Sequence, residues 1–337
     1  MADSARKWTD RKLQQMERKL SDIYKKSAKG IAKKWDEYMK ESEAELSPLQ
    51  RAYDEAKKSG DRDLIRETGK KLSAAKKEQT LYNTHYKDML EETTRQLANV
   101  NQTALAYVNG EVPSVYAKNY AQVGEDLKGI DVKFQKVTGN ESIHKIVNED
   151  VVKNMITEGD IKLPNLQKRL SIPKDQRWNT KQINSSVLQG ILQGEPMDKI
   201  AKRLEPIMNR NENAAIRNAR TIVTGAENRG RTDSYRRLEK AGVVMQRVWI
   251  ATGDSRTRDA HLFMDGQKVD VDEPFTDGDG NKLDYPGDPE APAETVYNCR
   301  CSTKSEPIGF RRADGSISYI DYEEEDESLH EKQIQKE

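Results

Sequence analysis

Cys299 and Cys301 are the only two cysteines of the chain, and their C-x-C spacing lets two thiolates reach one metal ion. His261 can add a ring nitrogen, and Asp254, Asp259 or a water can complete a tetrahedron, a donor set that suits zinc. The same residues fit plain packing, since free cysteine behaves as a small core residue and His261 can hydrogen-bond within a turn. A third use is nucleophilic: His261 would activate either thiol while Asn298 orients the base, the form a Cys/His-dependent hydrolase or nuclease module would take. The other histidines, His85, His144 and His330, lie far away in sequence, and no protease elbow, phosphate loop or Gly-rich nucleotide turn occurs. Two cysteines so close together make a strained disulfide and no secreted framework, so a reducing compartment is expected.

Asp254, Arg256, Arg258 and Asp259 alternate in charge beside His261, a pattern that more often ties a loop to itself than makes a charged site. Asp277, Asp279 and Asn281 take the first three ligand positions of a calcium loop. Lys282, however, stands at the tight-turn glycine and Asp288 at the closing glutamate, which favours a plain hairpin turn. Arginines at 210, 217, 220, 229, 231, 236 and 237 give one long helix a local positive excess. Arg217, Arg220, Arg236 and Arg237 are its candidates for contacting DNA or an acidic protein surface, against the alternative of a solvated face with internal ion pairs. No aromatics are interleaved there for stacking on bases.

Elements must bring these residues together. A helix is expected from about Asn213 to Lys240, stopped by Gly242, and Val243–Ile250 reads as a strand. Residues 251–306 are rich in turn formers, with short strands expected at Lys268–Val271 and Thr295–Tyr297. Pairing of Trp249–Ile250 with Thr295–Tyr297 would carry their following loops, and so His261 and both cysteines, to one end. Upstream, two short helices joined by a turn at Gly194 and Pro196 are expected over residues 187–208.

The N-terminal third is different. Leu13, Met16, Leu20, Ile23, Ile31, Trp35 and Tyr38 follow in steps that keep them on one helical face. Ser47-Pro48 predicts the start of a second helix, Ser59-Gly60-Asp61 a break, and Leu64 to Leu97 a third long helix. Asn109-Gly110 and Pro113 predict its end. The stripe needs a covering partner, either in a helical hairpin or in a coiled coil with another chain.

At 337 residues, 34% hydrophobic and 34% charged, with mean hydropathy −0.95, the chain has a thin core for its length. The expected fold is mainly α with a small α+β C-terminal domain and long N-terminal helices in a hairpin or coiled-coil arrangement. The expected segments are a helical arm over 1–110, a connector with short helices over 111–177, a compact domain over 178–310 and an acidic, disordered tail over 311–337. Basic and acidic residues both count 57, so net charge argues for neither DNA nor an anionic membrane. No apolar run is long enough to span a membrane, and Met1 to Asp10 lack the apolar core of a signal peptide.

The run Trp249-Ile250-Ala251-Thr252-Gly253-Asp254-Ser255-Arg256-Thr257-Arg258-Asp259-Ala260-His261, then Asp265-Gly266-Gln267, then Asn298-Cys299-Arg300-Cys301, resembles the signature of the phage Mu F-like head morphogenesis family. The ordered set is far more specific than any one of its pieces. Looser similarity reaches Asn109-Gly110, Pro113, Val115-Tyr116 and Asn119, and the helix around Ala219-Arg220-Thr221, where the family often carries an acid next and this chain has Ile222. The resemblance implies a minor head protein present in few copies, located in the virion at the capsid interior or portal vertex after assembly in the host cytoplasm. It implies portal, scaffold or major capsid protein as partners, and a role in head morphogenesis, DNA packaging or ejection. A DNA-binding ejection protein is a further reading of the Arg-rich helix. The resemblance marks Trp249, Asp254, Arg256, Arg258, Asp265, Gly266, Asn298 and Arg300 as signature residues.

Overall fold

The computed structural model describes residues 4–78, 84–158, 163, 172–192 and 197–320. The disordered tail expected over 311–337 is corrected at its start, where Ser302–Arg311 and Ile317–Tyr319 are strands; its remainder from Asp321 and the turn at Gly194 and Pro196 lie outside the described residues. The fold is mainly helical with a small sheet region near the C-terminal end. Its helices are α1 (Ser4–Ser59), α2 (Arg62–Lys77), α3 (Thr84–Asp126), α4 (Asp131–Thr138), α5 (Ile143–Ile146), α6 (Glu149–Thr157), α7 (Ile172–Leu192) and α8 (Met197–Lys240). After them come β1 (Val243–Ile250), α9 (Asp259–Phe263), β2 (Lys268–Asp270), β3 (Phe275–Thr276), β4 (Lys282–Leu283), α10 (Ala293–Val296), β5 (Ser302–Arg311) and β6 (Ile317–Tyr319).

The helix boundaries expected at Ser47-Pro48 and at Asn109-Gly110 and Pro113 are corrected, and the helix expected from about Asn213 already begins at Met197. Pro48, Pro113 and Pro206 all sit inside helices, in α1, α3 and α8. A proline forfeits one backbone hydrogen bond but leaves its neighbours' bonds intact. Around Pro113 the buried residues Val108, Val112, Val115, Tyr116, Tyr120 and Val123 hold the helix against its surroundings, which outweighs the local breakers Gly110 and Pro113. The break at Ser59 is real: Gly60 takes φ +74° and the Asp61 carboxylate caps α2 by accepting from the Asp63 and Leu64 amides.

Two compact units are built from interleaved stretches of chain. One comprises Met16–Tyr107 and Gln167–Ile216. Within it α1 and α3 run antiparallel, as a hairpin: Tyr24 Oη donates to Asn101 and Trp35 Nε1 to Thr93, while Lys34 pairs with Glu92. The stripe read from Met16, Leu20, Ile31 and Trp35 is thus covered within the chain. A polar thread crosses this core, where Asn211 accepts from Asn101 and exchanges hydrogen bonds with Asn179 at 3.0–3.1 Å.

The other unit comprises Met1–Gln15, Val108–Leu166 and Arg217–Glu337 and contains the sheet. Strand order is β2-β1-β5-β6, all antiparallel. β1 falls where its branched and aromatic residues predict. Its long partner is β5, from Ile250 opposite Ser302 to Val243 opposite Phe310, with a bulge at Val244/Met245. The expected pairing with Thr295–Tyr297 is corrected: Ala293–Val296 form a single helical turn, α10. β3 and β4 make a hairpin around the Asp277 turn. At Gly230 the backbone of α8 comes so close to α3 that a Cβ there would stand 2.5 Å from the Tyr116 carbonyl oxygen.

Candidate functional site

The penultimate residue of β1 is Trp249, whose buried ring anchors a core of Met264, Phe275, Leu283, Cys299 and Cys301. Phe275 meets it edge-on at 5.2 Å between centroids, and His261 likewise at 5.7 Å. From Ile250 the chain leaves the sheet as the signature loop, makes the short α9 that carries His261, and returns to β1 through Gly266, which takes φ +76° while its amide donates to the Trp249 carbonyl. The Asp265 carboxylate accepts from the Ala251 amide, and Gln267 exchanges two hydrogen bonds with the Thr276 backbone.

His261, Cys299 and Cys301 converge. His261 Nδ1 lies 3.6 Å from both sulfurs, and the three ligand atoms are within 4.8 Å of one another. They are 1%, 2% and 3% exposed. The convergence expected from the sequence is therefore present, although β5 and α8 bring it about and not a strand at Thr295–Tyr297. A hydrogen bond from Cys299 holds the Cys301 thiol below the usual thiol range against the effect of burial, with His261 adding to it. The same sulfur contact, with burial, pushes Cys299 well above the usual thiol range.

Asp254 does not join them. Its carboxylate is taken by the Arg300 guanidinium in a two-pronged contact at 2.5 and 2.7 Å, and it also accepts from the Arg256 amide and the Thr257 hydroxyl. Arg300 above all holds this carboxyl well below its ordinary range. Arg258 donates to the Tyr297 carbonyl, and the exposed Arg256 reaches Asp254 only at 3.8 Å. Asp259 opens α9 on the exposed side. The Asp277 carboxylate is used up by the amides of Asp279 and Asn281 and the side chain of Asn281, as a hairpin turn requires.

The peptide from Asn298 to Thr303 is stitched to one face of α8 by residues the sequence reading passed over. Thr221 Oγ1 accepts from the Asn298 amide, Thr224 Oγ1 donates to the Cys299 carbonyl, and Asn228 donates to the Cys301 carbonyl while accepting from the Thr303 amide. Asn298 holds φ +56°, a left-handed conformation that asparagine tolerates better than most residues. Thr221, Thr224 and Asn228 stand three and four positions apart, and such a polar row inside an apolar helix face is the signal that marks them. From the other side Arg6 donates to Ser302 Oγ and the Arg300 carbonyl. Arg247, fully buried under the sheet, donates to the carbonyls of Asp284 and Glu273 at 2.5 Å.

The arginine row is divided. Arg236 contacts Asp233, Asp272 and Asp284, and Arg237 donates to the Ile146 carbonyl. Arg217 is exposed and Arg220 half-buried.

The family model for phage Mu protein F like protein matches residues 181–304. The minor head protein GP7 of Bacillus phage SPP1 is 30% identical over 233 residues, which are 66% of this chain and 72% of that protein. The NAD(+)--arginine ADP-ribosyltransferase EFV of Enterococcus faecalis (strain ATCC 700802 / V583) is 28% identical over 158 residues, 47% of this chain but only 31% of that protein. No solved structure gives a significant match.

Proposed function

The chain belongs to the phage Mu protein F-like minor head proteins, and from that premise we propose that it docks at the portal vertex of the assembling head and remains on the route by which DNA is packaged or ejected. Its place in head morphogenesis follows from the family; the vertex and the partner are the proposal. The observation that carries it is how the signature residues are used. Asp254 clamps Arg300, Asp265 and Gln267 fasten the loop to β1 and β3, and Asn298 to Cys301 are fixed on α8. A family signature spent on internal bracing suits a rigid docking module.

A nucleophilic Cys–His reading gains little from the 3.6 Å contacts, because both sulfurs and the imidazole are buried to a few per cent and a substrate carbonyl would have to enter a packed core. The activity in the name of the Enterococcus relative does not carry over, since the likeness takes in under a third of that protein. DNA contact through α8 is the weaker reading, since Arg236 and Arg237 are already engaged.

The test is co-expression of the tagged full chain with the portal protein of the same phage, and separately with its scaffold and major capsid proteins. Specific co-purification with the portal is expected. Binding to the major capsid protein alone, or to none of the three, overturns the vertex assignment.

A further inference from the structure

We propose that His261, Cys299 and Cys301 form a binding site for one divalent transition metal ion, zinc by its donor chemistry, that locks the signature loop to the start of β5. The inference does not rest on the head-assembly reading.

Geometry is the first support. Bonds of about 2.3 Å from zinc to sulfur and about 2.0–2.1 Å from zinc to nitrogen, set at the tetrahedral angle, place nitrogen and sulfur about 3.6 Å apart. Both Nδ1-to-sulfur distances are 3.6 Å. A ring nitrogen equidistant from two sulfurs is what a shared central ion imposes, whereas a single thiol hydrogen bond needs only one of the two contacts. Among the described residues no other group of three or more His, Cys, Asp or Glu side chains has this arrangement.

Charge is the second. Each thiol yields its proton to solvent as the ion binds, and the imidazole stays neutral with its proton on Nε2. Two thiolates, one neutral imidazole and a divalent cation sum to zero, which a core lined by Trp249, Met264 and Phe275 can hold. A hard cation such as magnesium or calcium would want oxygen ligands, and no carboxylate joins the three side chains of the cluster, Asp254 being committed to Arg300.

Preorganisation is the third. Cys299 and Cys301 are held by their own carbonyls on Thr224 and Asn228 of α8, so their sulfurs are fixed before any ion arrives. Arg300, between them, faces Asp254, which lets the odd-numbered residues point into the core while the even one points to the loop.

The probe is cobalt(II), which reports its ligands in its spectrum. Full-length protein is stripped of metal by a chelator under reducing conditions, checked for two free thiols after unfolding, and titrated. The expected result is a thiolate-to-cobalt charge-transfer band with the intense visible bands of a tetrahedral ion, saturating at about one ion per chain and bleached by one equivalent of zinc. Zinc should also raise the unfolding midpoint and shield both thiols from a thiol reagent. Cys301→Ser should cut the charge-transfer intensity to about half. Should that variant not fold, the titration of the unaltered chain decides alone. A folded chain with both thiols reduced that shows no charge-transfer band in excess cobalt, or only the faint spectrum of an octahedral ion on surface carboxylates, overturns the proposal and leaves the cysteines as packing residues.

Discussion

Replacing Asn228 with leucine tests whether the α8 seam holds the site together. The Asn228 amide is buried and makes three contacts across the seam or along its own helix: to the Thr224 carbonyl at 2.9 Å, to the Cys301 carbonyl at 3.2 Å and from the Thr303 amide at 3.0 Å. The Thr224 carbonyl also belongs to the helix ladder and is not orphaned by the change. The Thr303 amide is different, because it faces away from β1: its cross-strand neighbour Trp249 gives its own amide to Gln267. Leucine is close to asparagine in size, so it leaves no room for a rescuing water and strands the Thr303 N–H and the Cys301 C=O. At about 1–3 kcal/mol for each of the two stranded buried groups, the loss is about 2–6 kcal/mol. Since the chain has two compact units, one melting curve is a poor gauge, and amide exchange of the 300–311 segment followed by mass spectrometry reads the seam directly. That segment should exchange at least about 30-fold faster, the rate equivalent of 2 kcal/mol. Asn228→Asp, which keeps the acceptor but not the donor, should fall between. If Asn228→Leu leaves exchange of this segment within about twofold of the original, the seam is not what positions the cysteines.

Other expectations follow from neighbouring contacts. Gly230→Ala should destabilise by about 1–3 kcal/mol although alanine is the better helix former by about 1 kcal/mol, because the new Cβ meets backbone of α3 that cannot step aside; a raised thermal midpoint would contradict the close approach. Arg247→Ala should cost about 2–4 kcal/mol by abandoning two carbonyls and the half-exposed Asp284, as read by chemical denaturation, and Arg247→Lys should recover only part because it lacks the fork. Asp254→Asn should remove the acid sensitivity of the loop. A carboxyl held below its ordinary value contributes stability above about pH 3.9 and loses it as pH falls through the folded value, so the midpoints of variant and original should converge on acidification; a constant gap would show that the Arg300 clamp is not the cause.

Long periodic stretches were legible in the sequence because one buried face repeats every three or four residues, as in Met16, Leu20, Ile31 and Trp35. β1 was legible because its branched and aromatic residues suit a strand whichever partner it finds. Local punctuation misled at Pro48 and at Pro113, and at Pro113 the buried residues around it outweighed the breakers. β5 was not read from the sequence; in it Pro307 sits beside the bulge, where a missing N–H is tolerated, and a Cβ at Gly309 would stand only 2.5 Å from the Ser318 carbonyl oxygen. The meeting of His261 with both cysteines was foreseen, but from a strand pairing with Thr295–Tyr297 that does not form. Its scaffold was not, because the row Thr221, Thr224 and Asn228 has meaning only once the segment it grips is known. Nor does a stripe say what covers it, so the joining of Met1–Gln15 to the sheet-bearing unit left no mark in the periodicity.

That joining sets an order of events during synthesis. Arg6 emerges from the ribosome 294 and 296 positions before its partners at Arg300 and Ser302. At about 5–20 residues per second, the first helical turns wait roughly 15–60 s for the strand they brace. The unit made wholly of Met16–Tyr107 and Gln167–Ile216 has every residue available by position 216, some 85 residues before the cysteines appear. The side of these first turns that Arg6 presents to the Arg300 carbonyl and Ser302 therefore stays uncovered by β5 until that strand is made, although α3 meets their other side earlier through Asn119 and Gln122, and in that interval a chaperone or an assembly partner has access to it.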